Sequence, residues 1–228
     1  VAKQLTTDDI YGVYGLETVA DTLNAQLLSN GATRYNEDYT ESTMNSPEAK
    51  EVFETIKAIR VEDGSAPDAS TLDAVGMSAT QMLETGKVAM LISGSWSLQE
   101  LAAAGMNVGM APLPSYGEVL TTGTAHLHCI SATTEHPDEA WLFLQFLSGM
   151  DYQGALTKSG LWMPNRHSMY EDDMVAQWYD DSVHGDSYKL MLDYFENAVV
   201  DPTAMQKSTQ ARDIIAEETD MYFKQDQD

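Results

Sequence analysis

The sequence predicts an α/β fold, and three observations carry that prediction. Short apolar runs of strand length alternate with stretches of helical period over the first two thirds of the chain. The last third is mostly helical in pattern. Of the 228 residues, 43% are hydrophobic, enough to bury a sizeable core in one large or two small domains.

Residues 1–15 read as irregular, with the alternation Tyr11-Gly12-Val13-Tyr14-Gly15. A helix is predicted over Leu16–Ser29, because Val19, Leu23, Ala25, Leu27 and Leu28 fall at loosely helical spacing and Asn30-Gly31 supplies a stop. Ala32–Asp38 is short, polar and turn-like. Ser46-Pro47-Glu48 opens a second helix with a capping hydroxyl, a proline at the first position and an acid in the first turn. Ala49, Val52, Phe53, Ile56 and Ile59 mark its apolar face, and Asp63-Gly64 ends it. Residues 65–76 read as a loop rich in Ser, Pro, Asp and Gly, and Ser78–Thr85 as a short helix ending at Gly86.

Gly86–Pro114 is the most informative stretch. It reads as an apolar strand (Val88–Ile92), a turn of small residues (Ser93-Gly94-Ser95), Trp96, a helix (Ser97–Ala104) and a second strand (Asn107–Ala111) closed by Pro112 and Pro114. A tryptophan just past a Gly-Ser turn at the end of a strand stands where α/β proteins bind ligands. An indole face there suits a sugar ring or another flat, partly apolar molecule; the competing reading is a core tryptophan. Ser115–Thr122 follows as a loop and Thr124–Ala132 as a strand. His136-Pro137-Asp138-Glu139 opens a helix over Glu139–Gly149 that is apolar nearly all round, which predicts burial on more than one side. Tyr152–Lys158 continues helically to Gly160, Leu161–Arg166 is a proline-containing connection, and helices are predicted over Tyr170–Tyr179, Ser187–Ala198 and Ser208–Phe223.

The formal charge is −24, from 36 acidic residues against 12 Lys and Arg, and the acids are spread along the chain. Such a surface repels nucleic acid and anionic membranes, so neither is a predicted partner. The lone cysteine, Cys129, allows no intrachain disulfide and reads as a small buried hydrophobe. No apolar run reaches the length of a bilayer span. The chain starts at Val1 with neither initiator Met nor leader, and is read as a processed or truncated piece of something longer. His126 and His128 share one face of their predicted strand. A metal would need further ligands that no Cys or H-E-x-x-H helix supplies, so they read as hydrogen-bonded strand histidines. His184 and Asp186 read as surface. There is no G-x-S-x-G elbow, P-loop or dinucleotide fingerprint, so neither catalysis nor a cofactor is predicted. Trp162, beside Pro164 and Arg166, and Tyr11 and Tyr14 add to the aromatic supply from which sugar sites are built.

Five strings in order carry a resemblance: NSPEAKEVFETIKAIR (Asn45–Arg60), GKVAMLISGSW (Gly86–Trp96), MNVGMAPLP (Met106–Pro114), CISATTEHPDEAWLFLQFLSG (Cys129–Gly149) and GLWMPNR (Gly160–Arg166). Together they resemble the extracellular solute-binding proteins of family 1, the maltose-binding-protein-like receptors of bacterial ABC importers. The resemblance implies a type II periplasmic-binding-protein-like fold of two lobes that close on a ligand. It assigns residues 1–122 to the first part of the second lobe, 123–168 to the interlobe crossing and a returning segment of the first lobe, and 169–228 to the helical completion of the second lobe. It further implies a larger N-terminal portion, signal peptide and lipid anchor included, that precedes this chain in full-length relatives. The location implied is extracellular, anchored at the cell surface or periplasmic.

The implied ligand is a sugar or oligosaccharide, and the implied partners are the membrane subunits of a permease. The same fold holding a polyamine, a peptide or a phosphate ester is one alternative; a carbohydrate-active hydrolase and a purely structural interaction domain are others. By position in the motifs, Trp96 resembles the stacking aromatic, with Gly94 and Ser95 bringing backbone close to the ligand. Glu17 and Thr18 are placed to take hydroxyls at a helix start. Gly123, Thr124 and His126 fall at the interlobe crossing, and Trp162 and Arg166 border the cleft, Arg166 as a ligand contact or as a pin through a carboxylate. If most of the first lobe is absent, Trp141, Phe143 and Phe146 of the Glu139–Gly149 helix are left exposed, and the fragment is expected to dimerise through that helix.

Overall fold

Side-chain caps start several of the helices in the computed structural model, which describes residues 1–16, 20–124, 127–196, 198–200 and 208–224. In chain order these are α1 (Ala2–Leu5), α2 (Ala20–Ser29), α3 (Pro47–Lys57), α4 (Ala69–Val75), α5 (Ala79–Glu84) and α6 (Ser97–Ala103). Strand β1 (Thr121–Gly123) follows, then α7 (Pro137–Leu147), α8 (Met150–Lys158), α9 (Asp172–Trp178), α10 (Asp181–His184) and α11 (Leu192–Glu196). Strand β2 (Ala198–Val200) and α12 (Ser208–Lys224) complete the order. The Ala49 amide donates to the Ser46 hydroxyl at 3.2 Å to start α3. Ser78 and Gln81 form a reciprocal capping box at α5.

The chain divides into two compact units. The first comprises Val1–Ser93, Pro112–Gly123 and Tyr194–Asp228; the second comprises Gly94–Ala111 and Thr124–Asp193. One boundary lies after Gly123, and residues 94–111 and 169–193 group with 124–168.

In the first unit, Leu23 and Leu27 of α2 meet Val52 and Ile56 of α3, and Val13, Leu16, Ala32, Ala66 and Phe223 close the core. Residues 11–14 are less irregular than predicted. Tyr11 bridges Val88 and Tyr14 bridges Leu91 in parallel. Four backbone hydrogen bonds of 2.8–3.0 Å hold the pair, so the predicted Val88–Ile92 strand exists as two bridges. Strands β1 and β2 pair in parallel, Thr121 opposite Ala198. The predicted Ser187–Ala198 helix therefore ends early, and Ala198 is a strand residue. The Ser29 hydroxyl accepts from the Tyr116 amide and donates to the Glu118 carbonyl, at 2.9 and 2.7 Å. The Tyr194 hydroxyl does the same between Leu113 and Leu120, so two side chains shape the 113–120 loop.

In the second unit the centre is His184, which is buried, not a surface residue as the sequence suggested. Its ring packs on Trp178, Tyr179 and Tyr188 with centroids 5.7, 5.3 and 4.5 Å away. Nε2 donates to the Thr157 carbonyl at 2.9 Å, since a carbonyl only accepts. Nδ1 is then the acceptor of the Asp180 amide at 3.1 Å. The Trp178 indole N–H donates to the Met169 carbonyl at 2.8 Å. A short polar loop containing one histidine gives no sign of an aromatic cage drawn from residues 178–188.

Five further expectations are corrected. Residues 65–76 are not all loop, because Asp68 caps α4 by accepting from the Thr71 amide at 2.7 Å. Asn107–Ala111 forms no strand. Neither do the described residues of Thr124–Ala132, all of which are exposed; a strand needs a bonded neighbour, and the run has none among the described residues. Cys129 lies in that run and is exposed, not buried. Helix α7 is not buried on several sides: Trp141, Leu142, Phe143 and Phe146 are all more than half exposed.

Candidate ligand-binding site

Gly94-Ser95-Trp96-Ser97 forms a tight turn in the second unit. The Ser97 amide donates to the Gly94 carbonyl and the Leu98 amide to the Ser95 carbonyl, both at 3.1 Å. Trp96 already has helical backbone angles (φ −58°, ψ −23°) as the residue before α6. Side chains of helical residues lean toward the N-terminus, so its indole folds back over Gly94. Ser97 and Leu98 are buried behind the turn, while Trp96 is 44% exposed. The indole is therefore not sealed in the core. Gly94 and Ser95 are half-buried beside it.

The connection carrying Trp162 packs against the same helix. A Cβ on Gly160 would stand 3.1 Å from the Gln99 nitrogen and 3.2 Å from the Leu98 Cβ. The Gln99 amide group donates to the Ser159 hydroxyl at 3.1 Å. The first turn of α6 and the segment leading into Trp162 are thus neighbours, and Trp162 is half-buried. Arg166 is exposed, and its Nη1 donates to the Ser148 carbonyl at 2.9 Å. That contact caps the C-terminus of α7, so the pin runs through a backbone carbonyl and not through a carboxylate.

Gly123 ends β1 opposite Val200 in the first unit, and Thr124, which follows it, is exposed. Glu17, Thr18 and His126 lie outside the described residues. The structure therefore groups Gly94, Ser95 and Trp96, and brings the approach to Trp162 against the helix that follows them. Nothing ionisable stands in the turn itself. What it offers is a π face, a hydroxyl and backbone amide groups, a chemistry of stacking and neutral hydrogen bonds. Among the described residues no group of His, Cys, Asp and Glu is arranged to hold a metal ion. Sequence reasoning missed the supports of this site, Gln99 and Ser159, because a hydrogen bond across 60 residues leaves no local signal.

Comparison with solved structures finds likeness over nearly the whole chain. An ABC substrate-binding protein from Listeria monocytogenes in complex with cycloalternan matches with a TM-score of 0.82 and 18% identity, over 99% of this chain and 57% of its own. The maltose/maltodextrin-binding domain of Bdellovibrio bacteriovorus bound to maltotriose matches at 0.69 and 20% identity, over 99% and 64%. UgpB from Mycobacterium tuberculosis in complex with glycerophosphocholine matches at 0.72 and 14% identity, over 99% and 56%. The chain thus spans less than two thirds of the length of these proteins, and has part of a type II periplasmic-binding-protein fold. No curated protein sequence matches it. The family model described as bacterial extracellular solute-binding protein matches residues 2–180, most of the length. On that match, the chain belongs to the family of bacterial extracellular solute-binding proteins.

Proposed function

We propose that this chain is the part of an ABC importer's receptor that carries its aromatic ligand platform, and that the ligand is a sugar or oligosaccharide. The carrying observation is Trp96, exposed and folded over a glycine turn that bears no charge. A pyranose offers C–H faces to such a ring and hydroxyls to the groups around it. The structural relatives support this, two of the three being complexes with bound oligosaccharides. The glycerophosphocholine complex supports a second reading, a phosphodiester, but a net charge of −24 opposes an anionic group.

The receptor breaks no bond. Ligand touching both lobes shifts the population toward the closed form, which a membrane permease then reads. We infer a role on the outer face of the cell, with an anchor upstream of this chain. The lobe crossing is proposed at residue 123, and Glu17, Thr18, Thr124 and His126 as hydroxyl partners. Trp162 is proposed as a flanking wall and Arg166 as a brace for α7. The exposed face of that helix, Trp141, Phe143 and Phe146, is proposed to be covered in the full-length receptor by the portion this chain does not span.

The test is a thermal-shift screen of maltodextrins and other oligosaccharides on the full-length protein, repeated with Trp96→Ala. One stacking contact corresponds to about 1 kcal/mol, so the substitution is expected to weaken binding roughly five- to tenfold. No shift with any saccharide, or a shift that survives Trp96→Ala, overturns the reading.

A further inference from the structure

Trp96 is the third residue of its turn, and its ring lies over the first. A Cβ built on Gly94 would fall 2.1 Å from Cζ3, 2.2 Å from Cη2 and 2.4 Å from Cε3 of the indole. Real Cβ atoms do not approach other atoms that closely. The six-membered half of the indole therefore fills the space that any side chain at position 94 needs. The constraint at Gly94 is one of room. At the same time Trp96 is 44% exposed, so a route outward is open to its ring.

We propose that Gly94 is the positioning residue of the aromatic platform: its bare Cα is the seat that fixes the tilt of the Trp96 ring. This rests on the reading of Trp96 as the ligand-stacking residue and goes beyond it by naming what orients the ring. A seated ring is ordered before ligand arrives, so binding does not have to freeze it. A methyl group at position 94 lifts the ring off its seat and leaves the turn's hydrogen bonds, Ser97 to Gly94 and Leu98 to Ser95, in place.

The experiment uses the full-length protein labelled with 5-fluorotryptophan and observed by fluorine NMR. Trp96→Phe identifies the Trp96 resonance by its disappearance. Gly94→Ala is expected to move or split that resonance alone. It is also expected to weaken maltotriose binding, in the range of a lost stacking contact. An unmoved Trp96 resonance overturns the proposal whatever happens to binding. The readout needs no ligand, so it stands apart from the functional reading: if Trp96→Ala leaves saccharide binding intact, that reading fails and the seat is still judged by the spectrum. Should Gly94→Ala lower the melting temperature, the pair Gly94→Ala and Trp96→Ala decides. With the ring gone, the added methyl is expected to cost nothing, and an equal loss in both backgrounds overturns the proposal.

Discussion

His184 is held at both ring nitrogens. Nε2 carries the proton given to the Thr157 carbonyl, and Nδ1 stands 3.1 Å from both the amide and the carbonyl of Asp180, accepting from the amide while the ring is neutral. Burial among Trp178, Tyr179 and Tyr188 lowers its pKa from the ordinary 6.5, against the opposing pull of the Asp180 and Thr157 backbone and the Asp180 carboxylate. The unfolded chain then binds more protons than the folded one just below that value. Stability contributed by the neutral ring is therefore full above about pH 6.5 and is lost as pH falls toward the folded pKa. The urea midpoint of the chain is expected to drop between about pH 7.5 and 5.5, and that slope is expected to flatten in His184→Phe. The variant is expected to lose about 0.5–1.5 kcal/mol at pH 7.5, because the ring's hydrogen bonds are lost while the Thr157 carbonyl keeps the Gly160 amide at 2.9 Å. A parallel slope in both proteins would remove His184 from the account. None of this was legible in the sequence, where His184 stands between Val183 and Gly185 in a polar stretch. By contrast, Trp96 was legible at this scale, because its neighbours Gly94 and Ser95 announce a turn and a helix starts at Ser97.

At the scale of elements, caps made the helices readable and missing partners made the strands unreadable. Ser46 and Ser78 were seen as starts, and both accept the amides three residues on. Asp68 was not, although it does the same, because Pro67 and the Ser and Asp around it resemble a loop. A strand is defined by its neighbour, which sequence period does not supply. Val88–Ile92 found Tyr11 and Tyr14, whereas Asn107–Ala111 found none among the described residues. The contact between α6, α10 and the Gly160 turn was likewise invisible, because it depends on a residue with no side chain. Gly160 has φ +78°, and a Cβ there would stand 2.7 Å from Cγ1 of Val183. Gly160→Ala is accordingly expected to destabilise the second unit by about 1–3 kcal/mol, from left-handed backbone and crowding together. Urea unfolding followed by tryptophan fluorescence checks this, since Trp178 lies in that unit. A change below about 0.5 kcal/mol would mean that the turn relaxes freely.

For the whole molecule, the exposed face of α7 is the feature with the clearest consequence in solution. Trp141, Leu142, Phe143 and Phe146 leave an apolar surface open, and Phe143 and Phe146 stack at 6.5 Å within it. The chain by itself is expected to bind anilinonaphthalene sulfonate and to self-associate, and the double variant Trp141→Ser, Phe143→Ser to do neither while melting at the same temperature. Sedimentation and dye fluorescence measure both, and a monomer that binds no dye would overturn the expectation. A second property of the whole follows from the order in which the first unit is assembled. Its core is closed by Phe223, which packs on Phe53 at 6.0 Å, and Arg60 lies over its ring at 5.3 Å. Tyr11 waits for Val88, and Thr121 for Ala198. During synthesis, then, Tyr11 and the residues after it in this unit have no finished core to join until Phe223 has been made. Until then that stretch stays loose, which is the state in which a polypeptide can be threaded through a narrow pore before it folds.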